Sequence, residues 1–272
     1  MNLDTFKQLL AVPTCSFRED RMVQWLQDYL RERLPTALVF TDGSNNVYVT
    51  KGGGAYLPCV AAHIDSVQPL KTVRIQQTGD VLTALDHRGC QTGFGADDKA
   101  GVFVCLNLLE QCENVKAVFF AAEECGCVGA RNALPQFFDD VAYVIEYDCP
   151  SRQMLSYSVG GVRLFSNGGS FIQEALPVLN HYGTVHWQHH PYTDVMALRL
   201  RFPVSCFNLS CGYYNWHASS EYVKISDVAH AVEQGCTLVE TISRRQHSCP
   251  VRLLEDVSPH RSITGLRLPE FA

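Results

Sequence analysis

The acids and histidines of this chain gather just after its apolar runs. Leu57–Ala62 leads straight into His63-Ile64-Asp65, and Val115–Ala121 leads into Glu123-Glu124. Val141–Ile145 leads to Asp148, and Val204–Leu209 leads through Cys211-Gly212-Tyr213-Tyr214-Asn215-Trp216 to His217. Between the first two lies a glycine-flanked acid pair, Gly95-Ala96-Asp97-Asp98-Lys99-Ala100-Gly101. If the runs are strands of an open α/β sheet, five segments deliver His or carboxylate groups to the edge where such sheets bind ligands. Carboxylates crowded there repel one another and are costly to desolvate, a conflict that divalent cations relieve. The donors are oxygen and nitrogen with no thiolate pair, which suits zinc, or manganese or cobalt. Two histidines with three or four carboxylates exceed one open zinc site. They suit two metals sharing a bridging carboxylate at a spacing of ~3.5–4 Å.

The elements that must position these groups follow from periodicity. Leu3–Leu10 and the amphipathic stretch Glu19–Arg33 predict helices, and Leu38–Thr41 and Asn46–Lys51 predict strands joined by an Asp-Gly-Ser-Asn turn. Leu57–Ala62 reads as a strand buried on both faces. Residues 71–85 predict a small hairpin turning at Thr78-Gly79-Asp80. Lys99–Leu109 is nearly all apolar and predicts a buried helix. Strands at Val115–Ala121, Val141–Ile145 and Val204–Leu209 alternate with helices at Val128–Leu134, Phe171–Asn180 and Ser226–Arg244, the last with Ser226 as its N-cap. This alternation predicts an α/β fold of three αβα layers, its sheet mixed but mostly parallel. One catalytic domain is expected over 1–246, followed by a polar tail over 247–272.

Composition narrows the class. The 272 residues are 46% hydrophobic, 18% charged and 10% aromatic, which excludes a disordered or low-complexity chain. A net charge of −6 gives no support to nucleic-acid or membrane-surface binding. No stretch approaches the ~20 apolar residues of a membrane span. Met1–Leu10 carries Asp4 and Lys7 and lacks a basic-then-apolar layout, so a cytoplasmic protein is expected. The twelve cysteines include no C-x-x-C pair; the nearest spacing is Cys125-Gly126-Cys127. They read as reduced cysteines that mostly fill the core.

The strings AAHIDS, GADDKAG, AAEECG, EYDCP and YNWHASSEYV, in this order over residues 61–223, resemble the signature segments of the co-catalytic di-zinc exopeptidases. That superfamily includes peptidase T, carboxypeptidase G, the compact bacterial aminopeptidases and the tetrahedral aminopeptidases. The resemblance implies their phosphorylase/hydrolase-like fold and assigns roles. His63 and Asp148 would hold one metal, Glu124 and His217 the other, with Asp97 rather than Asp98 bridging. Asp65 would orient His63, and Glu123 would be the general base that takes a proton from the attacking water. Tyr192-Thr193-Asp194 resembles the Thr/Ser-Asp pair on the substrate side of such sites, so Thr193 and Asp194 are candidate substrate residues, with Tyr213 and Tyr214.

Departures from the family bear on the substrate. Peptidase T and carboxypeptidase G insert a lid or dimerisation domain between the positions of Asp148 and His217, where this chain has only residues 149–216. Tetrahedral aminopeptidases insert a domain between the positions of His63 and Asp97, where residues 64–96 suffice for one hairpin. A lidless site should be open unless a second subunit of a homo-oligomer covers it. The reading that results is an aminopeptidase for short peptides. A carboxypeptidase, an N-acyl amino acid deacylase and a non-catalytic binding protein on the same scaffold are its competitors. Glu221 is expected to support its loop by hydrogen bonds, Asp86-His87 to form a turn, and His181, His186, His189 and His190 to lie in a polar loop.

Overall fold

The computed structural model describes residues 1–190 and 193–250. In chain order the elements are α1 (Leu3–Ala11), α2 (Asp20–Arg33), β1 (Leu38–Thr41), β2 (Val47–Lys51), β3 (Leu57–His63), β4 (Arg74–Thr78), β5 (Val81–Leu85) and β6 (Gln91–Thr92). Next come α3 (Ala96–Gln111), β7 (Val115–Phe120), α4 (Val128–Arg131), α5 (Pro135–Phe138), β8 (Val141–Cys149), β9 (Met154–Val159) and β10 (Val162–Arg163). The remainder are α6 (Ser170–His181), β11 (His186–His190), α7 (Asp194–Arg201), β12 (Cys206–Ser210), β13 (Tyr213–Tyr214), β14 (Tyr222–Lys224) and α8 (Ile225–Thr241).

Strands β3, β7 and β8 are buried at every position, as near-continuous apolar runs require when both faces of a sheet are covered. The main sheet has the order β1-β2-β7-β3-β8-β12-β9-β10, with β11 on β9. Its centre is parallel: β3 runs with β7 and β8, and β12 runs with β8. All four carboxyl ends therefore open on one edge. Helix α3, packed on α1 and α8, covers one face, and α4 and α7 pack together on the other. Sandwiched in this way, α3 is buried from Ala96 to Leu109.

The hairpin β4–β5 is no isolated appendage. It belongs to a second, five-stranded sheet, β13-β14-β5-β4 with β6 on β5, and β13 and β14 bracket the loop that carries His217. Sequence periodicity missed β6, β13 and β14 because two or three residues carry no period. Asp80, in the hairpin turn, accepts the Ser226 N–H at 2.9 Å and its hydroxyl at 2.5 Å. Ser226 is thus not the N-cap expected of it: α8 already begins at Ile225, and its first turn is capped from the hairpin.

Other boundaries moved as well. β8 extends to Cys149, so Asp148 lies within the strand rather than past it. Residues 128–134 hold only the short α4. Of the histidines expected in a loop, His181 closes α6, and His186, His189 and His190 lie on an edge strand, β11, paired parallel to β9 and anchored by the buried Trp187. Asp86 does form a turn, accepting N–H bonds from Arg88 and Cys90. Residues 149–216 are taken up by β9 to β13 and two helices, nearly all in the main sheet or against it. All twelve thiols are free and eight are buried. The expected tail beyond 250, like Tyr192, lies outside the described residues. Among the described residues no helix is long and apolar enough to cross a membrane.

The approach of α3 to β8 is close enough to test. A Cβ on Gly101 would stand 1.8 Å from the Tyr147 carbonyl oxygen and 2.4 Å from Asp98 Oδ1, whereas one on Gly53 meets nothing within 4 Å. Gly101→Ala should destabilise the protein by ~1–3 kcal/mol or more, as overpacking does, and Gly53→Ala should be near neutral. Thermal denaturation of the two variants checks this.

Candidate metal centre

Each strand end contributes one part of the centre. β3 ends on His63, the turn after β7 carries Glu123 and Glu124, β8 carries Asp148, and the loop after β13 brings His217 across. Asp97 enters at the start of α3. There Asp97 (φ −77, ψ 103) and Asp98 (φ −119, ψ 33) depart from helical geometry, and the peptide bond between them is cis. Their side chains part company. Asp98 Oδ2 accepts the His63 N–H at 3.2 Å, and its Oδ1 accepts the Gly101 N–H at 3.0 Å and the Cys211 thiol at 3.5 Å. Asp97 faces the histidines instead.

The two oxygens of Asp97 face different donor sets. Oδ1 lies 3.1 Å from His63 Nε2, which is also 3.5 Å from Asp148 Oδ1. Oδ2 lies 3.3 Å from His217 Nε2, which is 2.9 Å from Glu124 Oε1. Donor atoms ~2.0–2.2 Å from one zinc ion at tetrahedral angles stand roughly 3–3.6 Å apart. His63 with Asp97 and Asp148, and His217 with Asp97 and Glu124, lie near that spacing, as donors to two cations sharing Asp97 would. His63, Asp97 and Glu124 offer donor atoms all within 4.8 Å of one another, and so do His63, Asp98 and Asp148. Asp98 differs from Asp97 in that its oxygens accept the backbone N–H groups of His63 and Gly101.

Behind the donors, further groups fix their directions. Asp65 Oδ1 lies 3.3 Å from His63 Nδ1 and accepts the Glu123 N–H at 2.8 Å. Asp65 Oδ2 accepts the Glu124 N–H at 3.3 Å and the Ser16 hydroxyl at 2.6 Å. Glu221 accepts four successive N–H groups, Phe94 to Asp97, and so pins the entry to α3, the supporting part expected of it. Asn208 Oδ1 accepts the Asp148 N–H at 2.8 Å. Tyr213 is buried, its hydroxyl 3.2 Å from the Asp148 carbonyl and 3.4 Å from Asp148 Oδ1. Tyr214 spends its hydroxyl on Asp227 at 2.6 Å and stacks on Tyr222.

Thr193 and Asp194 open α7 beneath the centre. Thr193 Oγ1 hydrogen-bonds Glu146 Oε2 and lies 3.0 Å from Asp148 Oδ2. Asp194 is fully buried, with no hydrogen-bond partner on either oxygen among the described residues, and Glu146 Oε1 likewise has none. Glu146 escaped the sequence reading, although an acid inside the apolar run Val141–Tyr147 was the signal for it.

Charge crowding and burial shift the proton affinities of most groups at the centre. Burial pushes Glu123 well above the usual carboxylate range, with Asp148, Glu124 and Asp97 adding to the effect. Burial likewise raises Glu124 to about 7, and burial with Asp148 raises Glu146 to about 8. Asp194 is held high by burial and by Glu123. Burial would lower His63, yet its bonds to Asp148, Asp65 and Asp97 hold it well above its ordinary value. His217 is raised to about 9, chiefly by Asp97. Burial disfavours the charged form of Asp97, but the two histidines outweigh it and hold its carboxyl low.

A sheet edge that gathers two imidazoles and three carboxylates into two donor sets, with a fourth carboxylate beside them, defines a metal-dependent hydrolase. The sequence profile described as peptidase family M28 matches residues 46–201, and the chain belongs to that family of metallopeptidases. No curated protein matches the chain. Its fold is similar to aminopeptidase PepT from Bacillus cereus ATCC 10987 (TM-score 0.75, 13% identity, 88% of this chain and 97% of that one). It is also similar to a tripeptidase from Staphylococcus aureus subsp. aureus Mu50 (TM-score 0.69, 13% identity, 89% and 98%). A third similar structure is aminopeptidase APDkam598 from the archaeon Desulfurococcus kamchatkensis (TM-score 0.70, 14% identity, 89% and 95%).

If two cations share Asp97, losing different donors should cost metal unequally. Asp97→Ala should lower the bound divalent ion from about two per chain to below one, whereas His217→Ala should keep about one. Elemental analysis of exhaustively dialysed protein distinguishes these outcomes, and two ions retained in Asp97→Ala contradicts the arrangement.

Proposed function

We propose that this chain is a di-metal aminopeptidase that removes the N-terminal residue from short peptides. His63, Asp97 and Asp148 would hold one ion, and Asp97, Glu124 and His217 the other, with zinc the leading metal and manganese or cobalt its alternatives. Such ions, when bound, acidify water and polarise the scissile carbonyl. Asp65 keeps the His63 ring turned so that Nε2 faces Asp97. Glu123 Oε2 stands 3.9 Å from His63 Nε2, beside the donors yet outside both sets. There Glu123 takes the proton of the attacking water and returns it to the leaving amine. The Cys127 thiol, 3.6 Å from Glu123 Oε1, steadies the other oxygen. Thr193 and Tyr213 steady Asp148.

The charge of the site carries the choice of an aminopeptidase. Asp97, Glu123, Glu124 and Asp148 surround the centre, Glu146 and Asp194 lie behind them, and none is ion-paired to a lysine or arginine among the described residues. A carboxypeptidase needs a cation for its substrate's carboxylate, typically a bidentate arginine. A carboxylate-rich site without a lysine or arginine favours the α-ammonium group over a carboxylate. N-acyl amino acids lack the ammonium and are the poorer fit.

Glu123→Gln keeps the shape and removes the proton acceptor. Hydrolysis should fall at least ~100-fold, the scale of general-base catalysis, while metal content stays near that of the parent protein. Assays on di- and tripeptides beside their N-acetylated forms complete the test. Full activity in Glu123→Gln, or faster cleavage of the acetylated substrates, overturns the proposal.

A further inference from the structure

The turn that presents Glu123 and Glu124 is built against its own preferences. Ala122 has φ 50, in the left-handed region that disfavours a residue with a Cβ, and two adjacent acids must send their side chains to different places. The turn's carbonyls are tied within its own segment: Ala122 O accepts Val128 N–H, and Glu123 O accepts Gly126 and Cys127 N–H. Its three successive amides point the other way, each toward a carboxylate. Glu123 N–H and Glu124 N–H go to Asp65, at 2.8 and 3.3 Å. Ala122 N–H goes to Glu19 Oε1 at 3.1 Å, across 103 residues of sequence.

Glu19 is the residue just before α2, and it precedes the segment 46–201 that the family profile matches. It is only 1% exposed. The same Oε1 also accepts Phe17 N–H at 2.8 Å, and Ser16 bonds Asp65 Oδ2 at 2.6 Å. The segment 16–19 therefore reaches the turn twice, directly through Glu19 and indirectly through Ser16 and Asp65. Hydrogen bonds to an ionised acceptor are stronger than those between neutral groups.

We propose that Glu19 is a positioning residue for Glu123: by accepting the Ala122 amide it fixes the backbone from which the proton-carrying side chain projects. Asp65 fixes the two amides that follow, but nothing else among the described residues accepts that of Ala122. Without Glu19, the Ala121–Ala122 peptide unit is held only at its carbonyl, by Gly129 N–H, and the backbone leading into Glu123 loosens so that the carboxylate loses its aim. A misplacement of ~1 Å costs on the order of 100-fold in rate. Because Glu19 touches no metal donor's side chain, the cost should fall on turnover and not on metal retention. The argument rests on Glu123 being the proton carrier of a peptidase.

The test uses metal-loaded full-length protein and the Glu19→Ala, Glu19→Gln and Glu19→Asp variants. Glu19→Gln keeps an acceptor oxygen at the same reach and should hold kcat within about threefold of the parent. Glu19→Ala, and Glu19→Asp with its shorter arm, should lower kcat by ~10–100-fold with KM changed less than about threefold and metal content intact. Hydrogen exchange at the Ala122 amide is the readout independent of activity: protection should persist in Glu19→Gln and fall in the other two. Should Glu19→Ala not fold, Glu19→Asp against Glu19→Gln carries the same comparison. Parent-like kcat in Glu19→Asp, or a Glu19→Gln variant as slow as Glu19→Asp, overturns the proposal. If the parent itself cleaves no peptide, the peptidase reading fails, and unchanged Ala122 protection in Glu19→Asp would separately refute the clamp.

Discussion

Asp97 sits at the point of greatest electrostatic conflict in the molecule. It stands among Glu123, Glu124 and Asp148 where little water can screen them, and its two oxygens face two different histidines. Left to themselves, these groups resolve the conflict with protons: carboxyls stay neutral above their usual range and imidazoles stay charged. Divalent cations resolve it better, because each replaces several protons at once and holds its ligands in a fixed shape. Much of the surrounding structure can be understood as holding the donors in place while that conflict persists.

Holding them requires fixed backbone more than fixed side chains. Four parallel strands bring their carboxyl ends together, but a strand end is loose unless its amides are bound. Buried carboxylates bind them here: Asp65 takes the amides of Glu123 and Glu124, Asp98 that of His63, Glu221 those leading into Asp97, and Glu19 that of Ala122. Each such acid is satisfied by N–H donors and so can be buried without a cation. The acids with oxygens left over, Asp194 and Glu146, lie next to Glu123 and Asp148, and burial beside those carboxylates holds them toward their neutral forms.

Much of this was legible in the sequence. His63, Glu123, Glu124 and His217 follow apolar runs whose burial on both faces follows from composition, and the glycines around Asp97 and Asp98 signalled an irregular helix start. The supporting acids were harder to read, because their partners are backbone amides far away in sequence. Glu19 looks like an ordinary acid at a helix start, and Glu146 looks like a polar interruption of a strand. Elements of two or three residues, such as β14, which pairs with the 71–85 hairpin, and β13, which pairs with β14, exist only through pairing, so no local signal announces them. β11 pairs with β9 from the sheet edge, and its run of histidines and glutamine masks the strand.

The bridging position of Asp97 is the claim on which the rest depends. Anomalous diffraction at the zinc edge, from crystals of zinc-loaded protein, tests it most directly. The account predicts two peaks ~3.5–4 Å apart, one beside His63 and Asp148, the other beside Glu124 and His217, with Asp97 touching both. A single peak, or two peaks of which Asp97 touches only one, would contradict it.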